Sequence, residues 1–165
     1  MSKAEDSLKE AFAGESQANR KYLAFSEKAD KEGYPQVARM FRAAAEAETV
    51  HAHNHLRALE GVRSTKENLQ EAISGETQEF KTMYPEMIKA AEAEGHKAAK
   101  RTFEYANEVE KVHARLYQKL LETLESSQET YPYYVCPVCG YTVEKGAPGV
   151  CPVCGTKGEM FRRIE

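Results

Sequence analysis

Apolar residues recur every three or four positions through the first 125 residues of this 165-residue chain, the spacing of amphipathic helices. The first helix is expected from about Lys3 to Lys31, ended by Gly33 and Pro35. A second runs from about Gln36 to Glu60, with Gly61 where a C-terminal glycine cap belongs. The third covers roughly Lys66 to Glu94 with Thr65 as its N-cap. Pro85 falls inside it and predicts a kink or short break. Gly95 separates it from the fourth, about His96 to Glu125. Each rod would span ~40 Å. The short connections within each pair favour antiparallel neighbours, so a mainly α, up-down four-helix bundle is expected.

Alternating steps of three and four trace the stripe each helix turns toward its neighbours, and every stripe is interrupted near its middle. The interrupting residues are Glu15 on the first helix and Glu48 with His51 on the second. On the third they are Glu76 and Glu79, and on the fourth Glu110 with His113. No Lys or Arg stands on these stripes to offset them. Burying one unpaired charge costs several kcal/mol, and crowded carboxylates raise one another's pKa. Two divalent cations would largely neutralise the set. Glu and His three residues apart share one helix face. A Glu-x-x-His on each of two helices, with Glu from the other two, is the ligand arrangement of di-metal carboxylate bundles. Mixed carboxylate and imidazole ligation suits Fe or Mn and does not exclude Zn. His53 points off the His51 face, and His55, one turn beyond His51, is either an orienting group or bundle-end packing. Tyr22 and Tyr84 are aromatic packing, or phenols that hydrogen-bond the ligands.

The helices also repeat. Phe12-Ala-Gly-Glu15 matches Ile73-Ser-Gly-Glu76 at an offset of 61, while Glu32-Gly33 and Glu48-Thr-Val-His51 match Glu94-Gly95 and Glu110-Lys-Val-His113 at 62. The first two helices look like a duplicate of the last two. Glu79 has no counterpart in the first copy, where Ala18 or Asn19 stands.

Composition changes abruptly near residue 130. Residues 1–130 hold five glycines, two prolines and no cysteine, whereas 131–165 hold five glycines, four prolines and all four cysteines. A helical domain (1–130) followed by a small turn-rich one (131–165) is expected. Cys136-Pro-Val-Cys139 and Cys151-Pro-Val-Cys154 form the paired Cys-x-x-Cys pattern of a tetrathiolate metal site, and a segment this short needs its metal to fold. The spacing admits Zn or Fe; beside a di-metal bundle that needs electrons, Fe is favoured.

Lys and Arg number 23 against 26 Asp and Glu, a net charge of −3, which is no footing for nucleic acid or an anionic membrane. Mean hydropathy is −0.66, no stretch has the length of a membrane span, and charges stand where a signal peptide would be apolar. A cytoplasmic protein is expected. Without a Gly-x-Gly-x-x-Gly motif, no nicotinamide or flavin site of its own is expected.

Taken in order, AFAGESQANRKY (11–22), EAETVH (46–51), GETQEFKTMYP (75–85), EVEKVH (108–113) and CPVCGY…CPVCG resemble rubrerythrin over essentially the whole chain. That resemblance implies a ferritin-like bundle holding a di-iron centre, a rubredoxin-like tail holding one iron on four thiolates, and reduction of hydrogen peroxide to water. It implies Glu48 and Glu110 as bridging carboxylates, Glu15 as terminal ligand on one iron, and Glu76 with His113 on the other. Glu79 and His51 would exchange as ligand with redox state, and Tyr22 and Tyr84 would be active-site tyrosines. Electrons would come from an NAD(P)H-dependent reductase or a rubredoxin. The short linker Ser126–Tyr131 against a ~40 Å bundle predicts a homodimer in which one tail serves the partner's bundle. Two other readings are an iron-handling ferroxidase and a zinc-ribbon structural module on an inert metal bundle.

Overall fold

The computed structural model describes residues 2–127 and 129–165. They form two compact units, one ending at Arg63 and one running from Ser64 to Glu165. The first is a helical hairpin of α1 (Lys3–Lys31) and α2 (Pro35–Ala58). Ser2 caps α1 through a capping box with Glu5, and Pro35 opens α2, where its missing N–H costs nothing. The turn between them is closed by Gly33 at φ +81°, with Gly33 N–H donating to Asp30 O and Tyr34 N–H to Ala29 O.

Buried between the two helices are Asn19, Ser26 and Ala29 with Ala38, Ala45 and Ala52. This differs from the stripe traced in the sequence, which on these helices passes through Ala18, Phe25 and Ala29 and through Val37, Ala44 and His51: except for Ala29, each buried residue lies one position beyond it. One position is a 100° rotation. Small side chains let the two backbones approach, so they line the intrahairpin contact. The larger stripe residues, Phe25 and Val37 among them, remain about half exposed. Asn19 Nδ2 ties the helices together by donating to Ala45 O at 2.6 Å and Thr49 Oγ1 at 2.8 Å, and Tyr22, Phe25 and Phe41 form an aromatic cluster beside them.

Two expected caps shift by one residue. The left-handed position after α2 is Glu60 (φ 56°), not Gly61. Gly61 N–H bonds Leu56 O and Glu60 N–H bonds Arg57 O, the paired bonds of a Schellman turn with Glu60 in the glycine's usual place. The N-cap of the next helix is Ser64, not Thr65, in a capping box with Glu67.

The second unit begins with α3 (Thr65–Gln78), a π-helical turn (Glu79–Met83) and α4 (Tyr84–Ala93). Together they are the predicted third helix with its predicted break. The π turn takes up one extra residue, with Tyr84 N–H bonding Glu79 O, and Pro85 follows in the first turn of α4. This explains why the repeat offset drifts from 61 to 62: a single residue inserted into a helix is accommodated as a π bulge. Gly95 (φ +68°) turns the chain into α5 (Lys97–Thr123).

The cysteine-bearing tail is a three-stranded antiparallel sheet of order β2-β1-β3, with β1 Tyr133–Val135, β2 Thr142–Glu144 and β3 Arg162–Ile164. Its core is Cys136, Cys151 and Phe161 with Tyr134, Tyr141, Val143 and Val153 around them. Gly158 is obligatory, because a Cβ there would meet Pro148 O at 1.7 Å. Strand β2 lies against α5 of the same chain: Lys119 Nζ pairs with Glu144 at 2.7 Å, and Gly140 faces Val109. The tail thus packs on the C-terminal half of α5 in its own chain.

Candidate metal centres

The structure gathers ten of the eleven expected ligands into three clusters. Glu15, Glu48 and His51 bring ligand atoms within 4.8 Å of one another in the first hairpin. Helix α2 supplies Glu48 and His51 from one face, and His51 Nδ1 lies 2.9 Å from Glu48 Oε2. In the second unit, Glu76 of α3 and Glu110 and His113 of α5 make the matching cluster. His113 Nδ1 is 2.7 Å from Glu110 Oε2 and 3.7 Å from Glu76 Oε1. Glu79, on the π turn, stands close enough to feel the charges of Glu110 and His113. His53 is exposed, and neither it nor His55 joins a ligand cluster.

Electrostatics mark the second cluster. Burial and the Glu110 carboxylate push Glu76 up to about 7, and burial with Glu110 raises Glu79. Burial works against ionised Glu110 too, but hydrogen bonds from His113 and Glu76 outweigh it and hold its pKa down. The bond to Glu110 raises His113 against the opposing effect of burial. Burial, then the nearby Glu79, Glu110 and Glu76, raise Tyr84, which keeps its phenol protonated. A cation would offset both the burial penalty and the mutual repulsion of these carboxylates, so each two-carboxylate, one-imidazole set is fitted to a divalent or trivalent metal.

The third cluster is the tail's knuckle pair. Cys136, Cys139, Cys151 and Cys154 are unpaired as disulfides and their sulfurs lie within 4.8 Å of one another. Sγ–Sγ distances are 3.6 Å for Cys136–Cys154 and 3.5 Å for Cys139–Cys151. A tetrahedron of ~2.3 Å metal–sulfur bonds has edges of about 3.8 Å, so the thiolates already outline it. Gly140 and Gly155 take φ of +82° and +78°, and their N–H groups bond back to Cys136 O and Cys151 O. Burial raises Cys139 and Cys151. It also acts on Cys154, but hydrogen bonds from Thr156 prevail and bring that thiol to about 6. Thr156 and Thr142, which contacts His113, carry no sequence signal that singles them out.

The chain matches known proteins over both parts. A family model described as rubrerythrin covers residues 6–121, and one described as the rubrerythrin rubredoxin-like domain covers 134–162. Rubrerythrin-2 of Clostridium acetobutylicum is 38% identical over 153 residues, spanning 83% of either chain. Rubrerythrin of Porphyromonas gingivalis is 39% identical over 165 residues, 89% of this chain and 82% of that one. Among solved structures, mixed-valence nigerythrin aligns with a TM-score of 0.60 at 31% identity, over 99% of this chain and 88% of that one.

Proposed function

The chain belongs to the rubrerythrin family, and from that premise we propose that it is a cytoplasmic, homodimeric peroxidase that reduces hydrogen peroxide to water. Its cofactors are a di-iron site and one iron on the four cysteines. When bound, the metals supply the two electrons that turn peroxide and two protons into two waters, with electrons entering at the four-thiolate site from an NAD(P)H-dependent reductase or a rubredoxin. The residues 1–130 act as the di-iron domain and 131–165 as the electron-entry domain.

In this reading the two Glu/Glu/His clusters are halves of one dinuclear centre. Glu48 and Glu110, each hydrogen-bonded to the histidine three residues on, are the bridging carboxylates. Glu15 is terminal on one side, and Glu76 with His113 on the other. His51 and Glu79 are the exchangeable pair. His51 is half exposed with Glu48 as its one hydrogen-bond partner among the described residues, and Glu79 rides on the irregular π turn. Each peroxide consumes two protons, and Tyr84, kept protonated by burial and its carboxylate neighbours, is suited to hydrogen-bond at the site; Tyr22 is its partner in the first repeat.

The observation that carries the reading is the joint presence, in one chain, of two matched carboxylate–imidazole clusters and a tetrathiolate cluster. The iron-loaded protein should hold about three Fe per chain. Cys151→Ser should abolish reductase-dependent turnover while prereduced protein still consumes peroxide stoichiometrically. Zinc alone in both sites, or catalytic Fe(II) oxidation in a large shell that does not need the tail, overturns the peroxidase reading.

A further inference from the structure

His113 is gripped at both ring nitrogens. Nδ1 faces Glu110 and Glu76, and Nε2 lies 2.9 Å from Thr142 Oγ1. A threonine hydroxyl has one hydrogen to give. Thr142 spends it on Gly140 O at 3.0 Å, so the oxygen turned toward His113 offers only a lone pair and Nε2 must carry the proton. Nδ1, whose proton is given to Glu110 at 2.7 Å, is then the ring nitrogen that can surrender its proton to a cation, and it is the one already turned toward the carboxylates. Leu116, Tyr117, Leu120, Tyr133, Val135 and Ile164 line an apolar groove of about 280 Å³ alongside this contact, where few waters compete and a hydrogen bond counts for more. His51, the corresponding residue of the first repeat, has no such partner among the described residues.

We propose that Thr142 is a positioning residue: by accepting the Nε2 proton of His113 and anchoring to Gly140, one residue from Cys139, it fixes Nδ1 as the metal donor and couples the ring's orientation to the seating of the cysteine knuckle. This deepens the peroxidase reading and rests on it for the purpose of the site, but the tautomer it assigns stands on geometry alone. Thr142 touches neither metal nor substrate. It acts through His113, as outer partners of metal-ligating histidines do.

The test uses the full chain loaded with zinc, which is diamagnetic. Nitrogen-15 NMR of the His113 ring should show Nδ1 bound and a slowly exchanging proton on Nε2. Thr142→Val should expose that proton to rapid exchange and weaken zinc at the carboxylate site by about 10- to 100-fold. Thr142→Ser, which keeps the hydroxyl, should restore both. Lys119→Ala, which loosens the tail through Glu144 instead, should leave the Nε2 proton and the tautomer in place. A zinc-bound Nε2 in the parent protein, or a valine variant that matches the parent in exchange and affinity, overturns the proposal. Peroxide consumption by the iron-loaded parent is measured in parallel. Its absence would sink the peroxidase reading while leaving the tautomer result to stand or fall separately.

Discussion

The two carboxylate clusters descend from one repeated pattern, yet the protein holds them differently. In the first hairpin the ligands sit on two uninterrupted helices, and His51 is about half exposed, with Glu48 as its one hydrogen-bond partner among the described residues. In the second unit a π turn interrupts the helix just after Glu76, a third glutamate is added, and His113 is pinned by Glu110 on one side and Thr142 on the other. One inserted residue and one docked strand are enough to make two copies of one pattern unequal in how many contacts hold the histidine. Ligand identity alone does not set how a metal site behaves; the partners that orient each ligand do.

The largest test of that contrast is to erase the insertion. Deleting Lys81 should convert the π turn to regular helix and restore the first repeat's spacing between Glu76 and the following tyrosine. Peroxide turnover should fall by about 100-fold, the cost of a misplaced catalytic group. Circular dichroism should be unchanged and stability should stay within about 1 kcal/mol. Full turnover in the deletion variant would mean that the π turn is incidental.

A smaller difference is expected between the two histidines. Because His113 is preorganised at both nitrogens and His51 is not, His113→Ala should weaken Co(II) binding about tenfold more than His51→Ala in titration calorimetry. Equal losses would erase the distinction between the singly and the doubly held histidine.

The smallest effect concerns pH. With zinc kept in the cysteine site and the carboxylate sites emptied by a mild chelator, Glu76 binds its proton more tightly folded, at about 7, than unfolded, at 4.5. The folded state therefore holds more protons between these values, and stability must fall as pH rises through that window. His113, raised by its bond to Glu110, adds a loss of the same sign as pH climbs past its folded pKa. Urea unfolding should show a decline of roughly 1–2 kcal/mol from pH 5 to pH 8, allowing for partial solvent screening. Refilling the sites should flatten the slope, and Glu76→Gln should remove most of it. A rise with pH would contradict the crowding of Glu76 against Glu110.

Helices, repeats and ligands were legible because each leaves a periodic mark. Glu-x-x-His at matching places and Cys-x-x-Cys pairs are local patterns, and the structure clusters those residues. Less legible was anything decided by a rotation of one residue. The buried stripe of Ala38, Ala45 and Ala52 lies beside the one traced from larger side chains, since backbone approach favours the smallest residues. Glu60 takes the left-handed turn where a glycine was expected next door. The π turn was half visible: Pro85 marked a break and the changing offset recorded an insertion, but neither said where the extra residue would be absorbed.

Residue order by itself determined that this chain makes amphipathic helices in duplicate, carries charge where apolar residues belong, and ends in a four-thiolate knuckle. Those features follow from spacing along the chain, and spacing is all that local geometry needs. The tertiary structure alone decided that Thr142, 29 residues away, meets His113 and leaves Nδ1 for the metal. A hydrogen bond depends on where two side chains arrive in space, and no periodicity along the chain encodes that meeting.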